Sequence, residues 1–100
     1  MNYKVIVSDR AAEMLSRHIS FISKVSKKAA RKTKNEIVEA IKKLKRDALV
    51  YPFFEQEFIP KNKYHKCVIN KRYLLLYQVK DNVVFVEYIV DTREDYYWLL

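Results

Sequence analysis

Glycine is absent from the 100 residues, and that absence excludes two large classes of nucleotide site. A Walker-type phosphate loop and a dinucleotide-binding turn both need glycine backbones that approach a phosphate closely. Cysteine is limited to Cys67, which rules out an internal disulfide and a multi-cysteine zinc site and suits a reducing, cytoplasmic setting. Long apolar runs are missing as well: none reaches the roughly 18 residues of a membrane span. Met1 to Arg10 lacks the charged start and apolar middle of a secretory signal. The expectation is one cytoplasmic domain over residues 1–100, with no membrane contact, no metal and no cofactor.

Acidic side chains are outnumbered, 12 against 20 basic ones, for a formal charge of +8. Residues 1–50 hold 13 basic and 5 acidic side chains, so the whole excess lies in the first half. From Lys61 to Lys80 there are six basic residues and no acid, whereas Asp81 to Leu100 holds five acids and only Arg93. Such a field draws a polyanion, most simply nucleic acid or a nucleoprotein, or an acidic protein. The plain alternative is a charge excess that only keeps the chain soluble.

Half of the residues are hydrophobic and 14% aromatic, enough for one core at this length. Tyr3 to Ser8 is β-branched and predicts a short strand. Ser8 or Asp9 can then cap a helix whose apolar stripe is Ala12, Leu15, Ile19 and Ile22, extended by Val25. Ser26 caps a second helix with Ala30, Ile37, Ile41, Leu44 and Ala48 as its stripe and lysines and arginines on its other faces. So short a hinge predicts an antiparallel helical hairpin. Tyr51 to Pro60 breaks the helical period and reads as a loop or short edge strand whose aromatics lie over the core. Tyr64–Ile69, Arg72–Lys80 and Val83–Val90 follow as strands, with turns at Asn70-Lys71 and Asp81-Asn82. Leu74 to Leu76 and Val83 to Val86 are apolar on both faces, which marks central strands. The fold class is α+β: an N-terminal strand, a helical hairpin, then a three-stranded antiparallel meander forming one sheet.

This order, with Tyr73-Leu74-Leu75-Leu76-Tyr77-Gln78-Val79 and Val90-Asp91-Thr92-Arg93-Glu94-Asp95-Tyr96-Tyr97, resembles the RelE/ParE superfamily of toxins from type II toxin–antitoxin systems. The likeness runs from the first strand to the tail. It implies a growth-inhibiting toxin silenced by a small cognate antitoxin. In the RelE branch the toxin is a metal-free endoribonuclease that cuts mRNA on the ribosome. In the ParE branch it poisons DNA gyrase and lacks the nuclease residues.

Metal-free RNA cleavage needs a base near the 2′-hydroxyl, cations around the phosphate and an acid for the leaving oxygen. The resemblance implies Arg93 for phosphate stabilisation; the alternative for Arg93 is a surface pair with Asp91 or Asp95. The arginine that RelE-like enzymes carry after the first tyrosine of the bracketed strand is Leu74 here, and Arg72 lies two residues earlier. The family's lysine pair falls on His65 and Cys67, with Lys63 on the same face as His65. His65 is the acid–base candidate, because its ordinary pKa of about 6.5 allows both roles; its other reading is structural. Tyr96 and Tyr97 match the family's C-terminal tyrosine and could orient the 2′-hydroxyl or stack on a base, or else pack under the hairpin with Trp98. Lys66 points away from His65 and adds only attraction. His18 reads as a packing residue and Cys67 as a small buried hydrophobe.

Two functions from different classes follow. The first is a ribosome-dependent mRNA endoribonuclease, with Lys63 and the helix cations Lys27, Lys28, Arg31 and Lys32 gripping RNA without regard to sequence. The second is a ParE-like toxin that binds DNA gyrase with no catalysis of its own, for which the departed site is expected. An inactive family member is the third reading. In the toxin readings an antitoxin lays acidic and apolar groups across the hairpin and the open meander face.

Overall fold

A computed structural model describes residues 2–93. Its element order is β1 (Lys4–Val7), α1 (Asp9–Ser23), α2 (Lys27–Asp47), β2 (His65–Ile69), β3 (Tyr73–Lys80) and β4 (Val83–Asp91). The sheet order is β1-β4-β3-β2. β1 lies parallel to β4, and the last three strands form the expected antiparallel meander. The two strands that are apolar on both faces, β3 and β4, are the central pair.

Both helices start on serine caps. The Ser8 hydroxyl accepts the Ala11 N–H at 3.0 Å and the Ser26 hydroxyl accepts the Ala29 N–H at 3.0 Å. Each satisfies an amide that the first turn leaves without a helical partner. α2 buries the expected stripe, with Ala30, Ile37, Leu44 and Ala48 out of solvent. The expected α1 stripe holds in part: Leu15 and Ile22 pack against the core, but Ala12 is exposed, Val25 is 90% exposed beyond the helix end, and Ala11 and Met14 are buried instead. The reason is that α1 packs against β4 as well as α2, so its buried face turns toward the sheet.

One core lies between the helices and the sheet, joining Ile37 and Leu44 to Leu75, Tyr77, Val84 and Ile89. On the opposite face a second cluster forms where Phe54, Ile59 and Tyr64 cover Leu74, Leu76 and Val90. The loop after α2 therefore does what its aromatics predict. It is tied to the β2 edge by Phe54 N–H to the Tyr64 carbonyl (2.6 Å) and Lys66 N–H to the Pro52 carbonyl (2.8 Å).

Without glycine, the turns use other residues in the left-handed region: Asn62, Asn70, Lys71 and Asp81 have φ of 60°, 51°, 58° and 56°. Asn and Asp tolerate this conformation, whereas Lys71 bears a cost of roughly 1–2 kcal/mol.

A bulge between β3 and β4 decides what faces the helices. The register passes from Leu76↔Tyr88 to Tyr77↔Val86, which leaves Glu87 as the extra residue. The Ser8 hydroxyl donates to the Glu87 carbonyl at 3.2 Å, so one side chain both caps α1 and holds the bulge. Beyond it the alternation of β4 reverses phase. Ile89 joins Val84 and Val86 on the helix side, and Asp91 follows Ile89.

Candidate functional site

Asp91 is buried at the end of β4, opposite Tyr73, and two arginines converge on it. Arg93 grips the carboxylate through Nε at 3.1 Å and Nη2 at 2.7 Å, and its own backbone N–H donates to Oδ1 at 2.9 Å. Arg72, from the β2–β3 turn, brings Nε to 3.9 Å of Oδ2. The Arg93 side-chain bonds hold the Asp91 carboxyl below the usual carboxylate range, against the opposing effect of burial. Thr92 fastens this end of the sheet: its N–H donates to the Arg72 carbonyl at 2.7 Å and its hydroxyl to the Lys71 carbonyl at 3.1 Å.

Across from this cluster, α1 supplies Arg17, His18 and Phe21, enclosing a cleft of about 370 Å³. His18 donates through Nε2–H to the Ile89 carbonyl at 2.8 Å, and its ring lies 5.2 Å from that of Tyr73. It is the packing residue its position predicted. Phe21, Arg72 and Tyr73 are shared with a second hollow of about 310 Å³ at the hinge, lined by Ile22, Val25 and Ala29. Phe21 is 64% exposed. The continuous surface thus presents guanidinium groups beside an aromatic ring and an apolar groove.

His65 lies elsewhere. It pairs with Tyr77, four residues along β3 from Tyr73, or roughly 13 Å at strand rise. It is buried, stacked between Phe53 at 4.2 Å and Tyr77 at 5.2 Å between ring centroids. Its Nδ1–H donates to the Tyr51 carbonyl at 2.9 Å. Nearby, burial pushes up the pKa values of the Cys67 thiol and the Tyr77 hydroxyl. Tyr77 spends its hydroxyl on the Ala48 carbonyl at 2.6 Å. On the other face, burial chiefly pushes Tyr64 up to about 12. These groups stay protonated near neutrality and do not supply a ready thiolate or phenolate.

Of the residues singled out in the sequence, the fold therefore joins Arg72 and Arg93 and keeps His65 apart from them. Lys63 sits outside β2 with its Nζ 5.2 Å from the Tyr64 ring centre, and Lys66 is half-buried on the β2 edge. Lys27, Lys28, Arg31 and Lys32 are exposed on α2. Tyr96 and Tyr97 lie outside the described residues. Sequence reasoning missed Arg17 and Phe21. Their signal is that the apolar and basic residues of α1 extend around the helix beyond the single stripe assigned to the core.

Two helices on one face of a β1-β4-β3-β2 sheet, with a polar cluster where β4 ends, define a toxin fold of the RelE/ParE kind. The family model of the ParE toxin of type II toxin–antitoxin system, parDE, matches residues 5–96. The chain belongs to that family, whose members are partnered by a cognate antitoxin. A solved structure described as the chromosomal ParDE TA system from P. aeruginosa shares the fold. Its TM-score is 0.73 at 18% identity, over 89% of this chain and 95% of that one. No curated protein matches the chain. None of the helices among the described residues is long and apolar enough to cross a membrane.

Proposed function

We propose that this ParE-family toxin acts by binding and poisoning DNA gyrase, without cleaving RNA itself. The observation that carries the reading is the separation of the nuclease candidates. Acid–base transfer needs a group within hydrogen-bond reach of the reacting proton. His65 is sealed between two rings about 13 Å of strand away from the arginines. The arginines in turn are directed onto Asp91, which offsets the positive charge that a phosphate would require. Membership in the ParE family supports the same reading, as does Leu74 standing where RelE-like enzymes carry an arginine.

The cleft suits a protein target. Aromatic and arginine side chains anchor protein interfaces because they bury area and form directed hydrogen bonds at modest entropic cost. Phe21, Arg17, Arg72 and Arg93 supply that set at one place. Purified toxin should stop DNA supercoiling by gyrase and leave a translated message uncut in primer extension. A cut in the ribosomal A site, with supercoiling untouched, overturns the proposal in favour of the endoribonuclease.

A further inference from the structure

At 100° per residue, Lys27, Arg31, Lys34 and Lys45 fall within one sector of about 60° on α2. They run about 27 Å along the helix axis at 1.5 Å per residue, and all four are exposed. The helix's three acids lie outside the sector and face other partners. Glu36 accepts from the Asn70 amide, Glu39 pairs with Lys42 at 3.5 Å, and Asp47 pairs with Arg46 at 3.6 Å. Beside Lys34 the hollow between the helices is lined on the α1 side by Ala12, Leu15, Ser16 and Ile19, none of them acidic. Only the half-buried Val38 interrupts the row with an apolar side chain.

We infer that this row binds the phosphate backbone of duplex DNA. A protein partner is the poorer fit, because lysine is depleted and aromatics are enriched in protein interfaces, and the row carries no aromatic ring. Single-stranded RNA is the poorer fit for a related reason, since its unstacked bases are held on aromatic side chains. Three flexible lysine ammonium groups and the Arg31 guanidinium on one straight rod match a line of phosphates, which B-DNA provides every 3.4 Å along each strand. The length of the row is most of one helical turn of about 34 Å. The inference deepens the gyrase reading: a toxin whose target holds DNA gains residence from contacting that DNA. The binding itself is a separate property and can be measured without the enzyme.

The test is fluorescence anisotropy of a labelled duplex of about three turns with the purified full chain, in salt from about 50 to 200 mM. Four phosphate contacts give a log–log salt slope of about −3.6. Replacing Lys27, Arg31 and Lys34 together by Gln should flatten it by nearly 3 and weaken low-salt binding at least tenfold. Replacing Lys61, Lys63 and Lys66 by Gln removes the same net charge and should change the slope by less than 1. Equal losses from both triples, or an unchanged slope in the α2 triple, overturn the inference. So does a single-stranded RNA of equal length that outcompetes the duplex. Matching circular-dichroism melts confirm that folding is not the variable. A wild-type toxin that binds the duplex but leaves supercoiling by gyrase untouched would sink the gyrase reading and leave this one standing; a wild-type toxin that stops supercoiling without binding the duplex separates them the other way.

Discussion

Two positively charged regions of this molecule carry their charge in opposite ways. On α2 the cations are mostly lysines, exposed and spread over the helix length, and the helix itself carries no aromatic residue. In the cleft between α1 and the end of the sheet they are arginines, directed onto a buried carboxylate and set beside Phe21 and Tyr73. A hydrated ammonium on a four-carbon stem is a point charge that follows a polyanion, whereas a planar guanidinium held by bidentate bonds presents a fixed shape. The first arrangement attracts; the second recognises. Net charge alone does not distinguish them.

The largest effect that would sharpen this contrast is functional. Arg93→Ala and Phe21→Ala should each raise the toxin concentration needed to stop supercoiling by about 30-fold, as loss of a 2 kcal/mol interface anchor does. The α2 triple should shift it less. If the α2 triple has the greater effect, the cleft is not the recognition surface. In stability the ranking is similar. Asp91→Ala removes the carboxylate that two arginines share and should cost about 2 kcal/mol, lowering Tm by roughly 8–16 °C. A denaturant titration at neutral pH measures it.

The same carboxylate predicts a pH dependence. Its folded-state pKa is depressed, so its contribution is present above the ordinary carboxylate range and is lost as pH falls through the depressed value. Asp91→Asn should therefore show a shallower fall of stability on acidification than the wild type, and parallel curves would contradict the assignment. A smaller, opposite change is expected at the turn beside the cleft. Lys71→Gly should stabilise by about 1 kcal/mol, because glycine enters the left-handed region without the Cβ clash; a lower Tm would refute it. The smallest effect belongs to α2: reversing Lys27, Lys28, Arg31 and Lys32 to Glu should leave Tm within a few degrees, since exposed charges contribute little to folding.

How much of this was legible in residues alone varies by element. The α2 stripe and both serine caps could be read because they depend on local periodicity and on amides that any helix start leaves open. The meander could be read because its turns and apolar runs are equally local. The alternative pairing of Arg93 with Asp91 was visible because the two residues are neighbours in the chain. The structural alternative for His65 was readable too, but its enclosure was not, since alternation along β2 says nothing about Phe53 arriving from a loop to close over it. The burial of Ala11 and Met14 on α1 was also hidden: the partners of α1 include β4, which lies 60 residues or more away.

Local chemistry along the chain sets the elements, their caps, the charge asymmetry and the exclusion of glycine-dependent phosphate sites. Each of these follows from side chains acting on their nearest neighbours. Which cations work together depends instead on long-range packing. The extra residue at Glu87 reverses the phase of β4 and turns Asp91 toward α1. In a strand apolar on both faces, either phase buries hydrophobic area, so the pattern cannot choose between them. The choice is made by contacts distant in sequence, among them the hydroxyl of Ser8 on the Glu87 carbonyl.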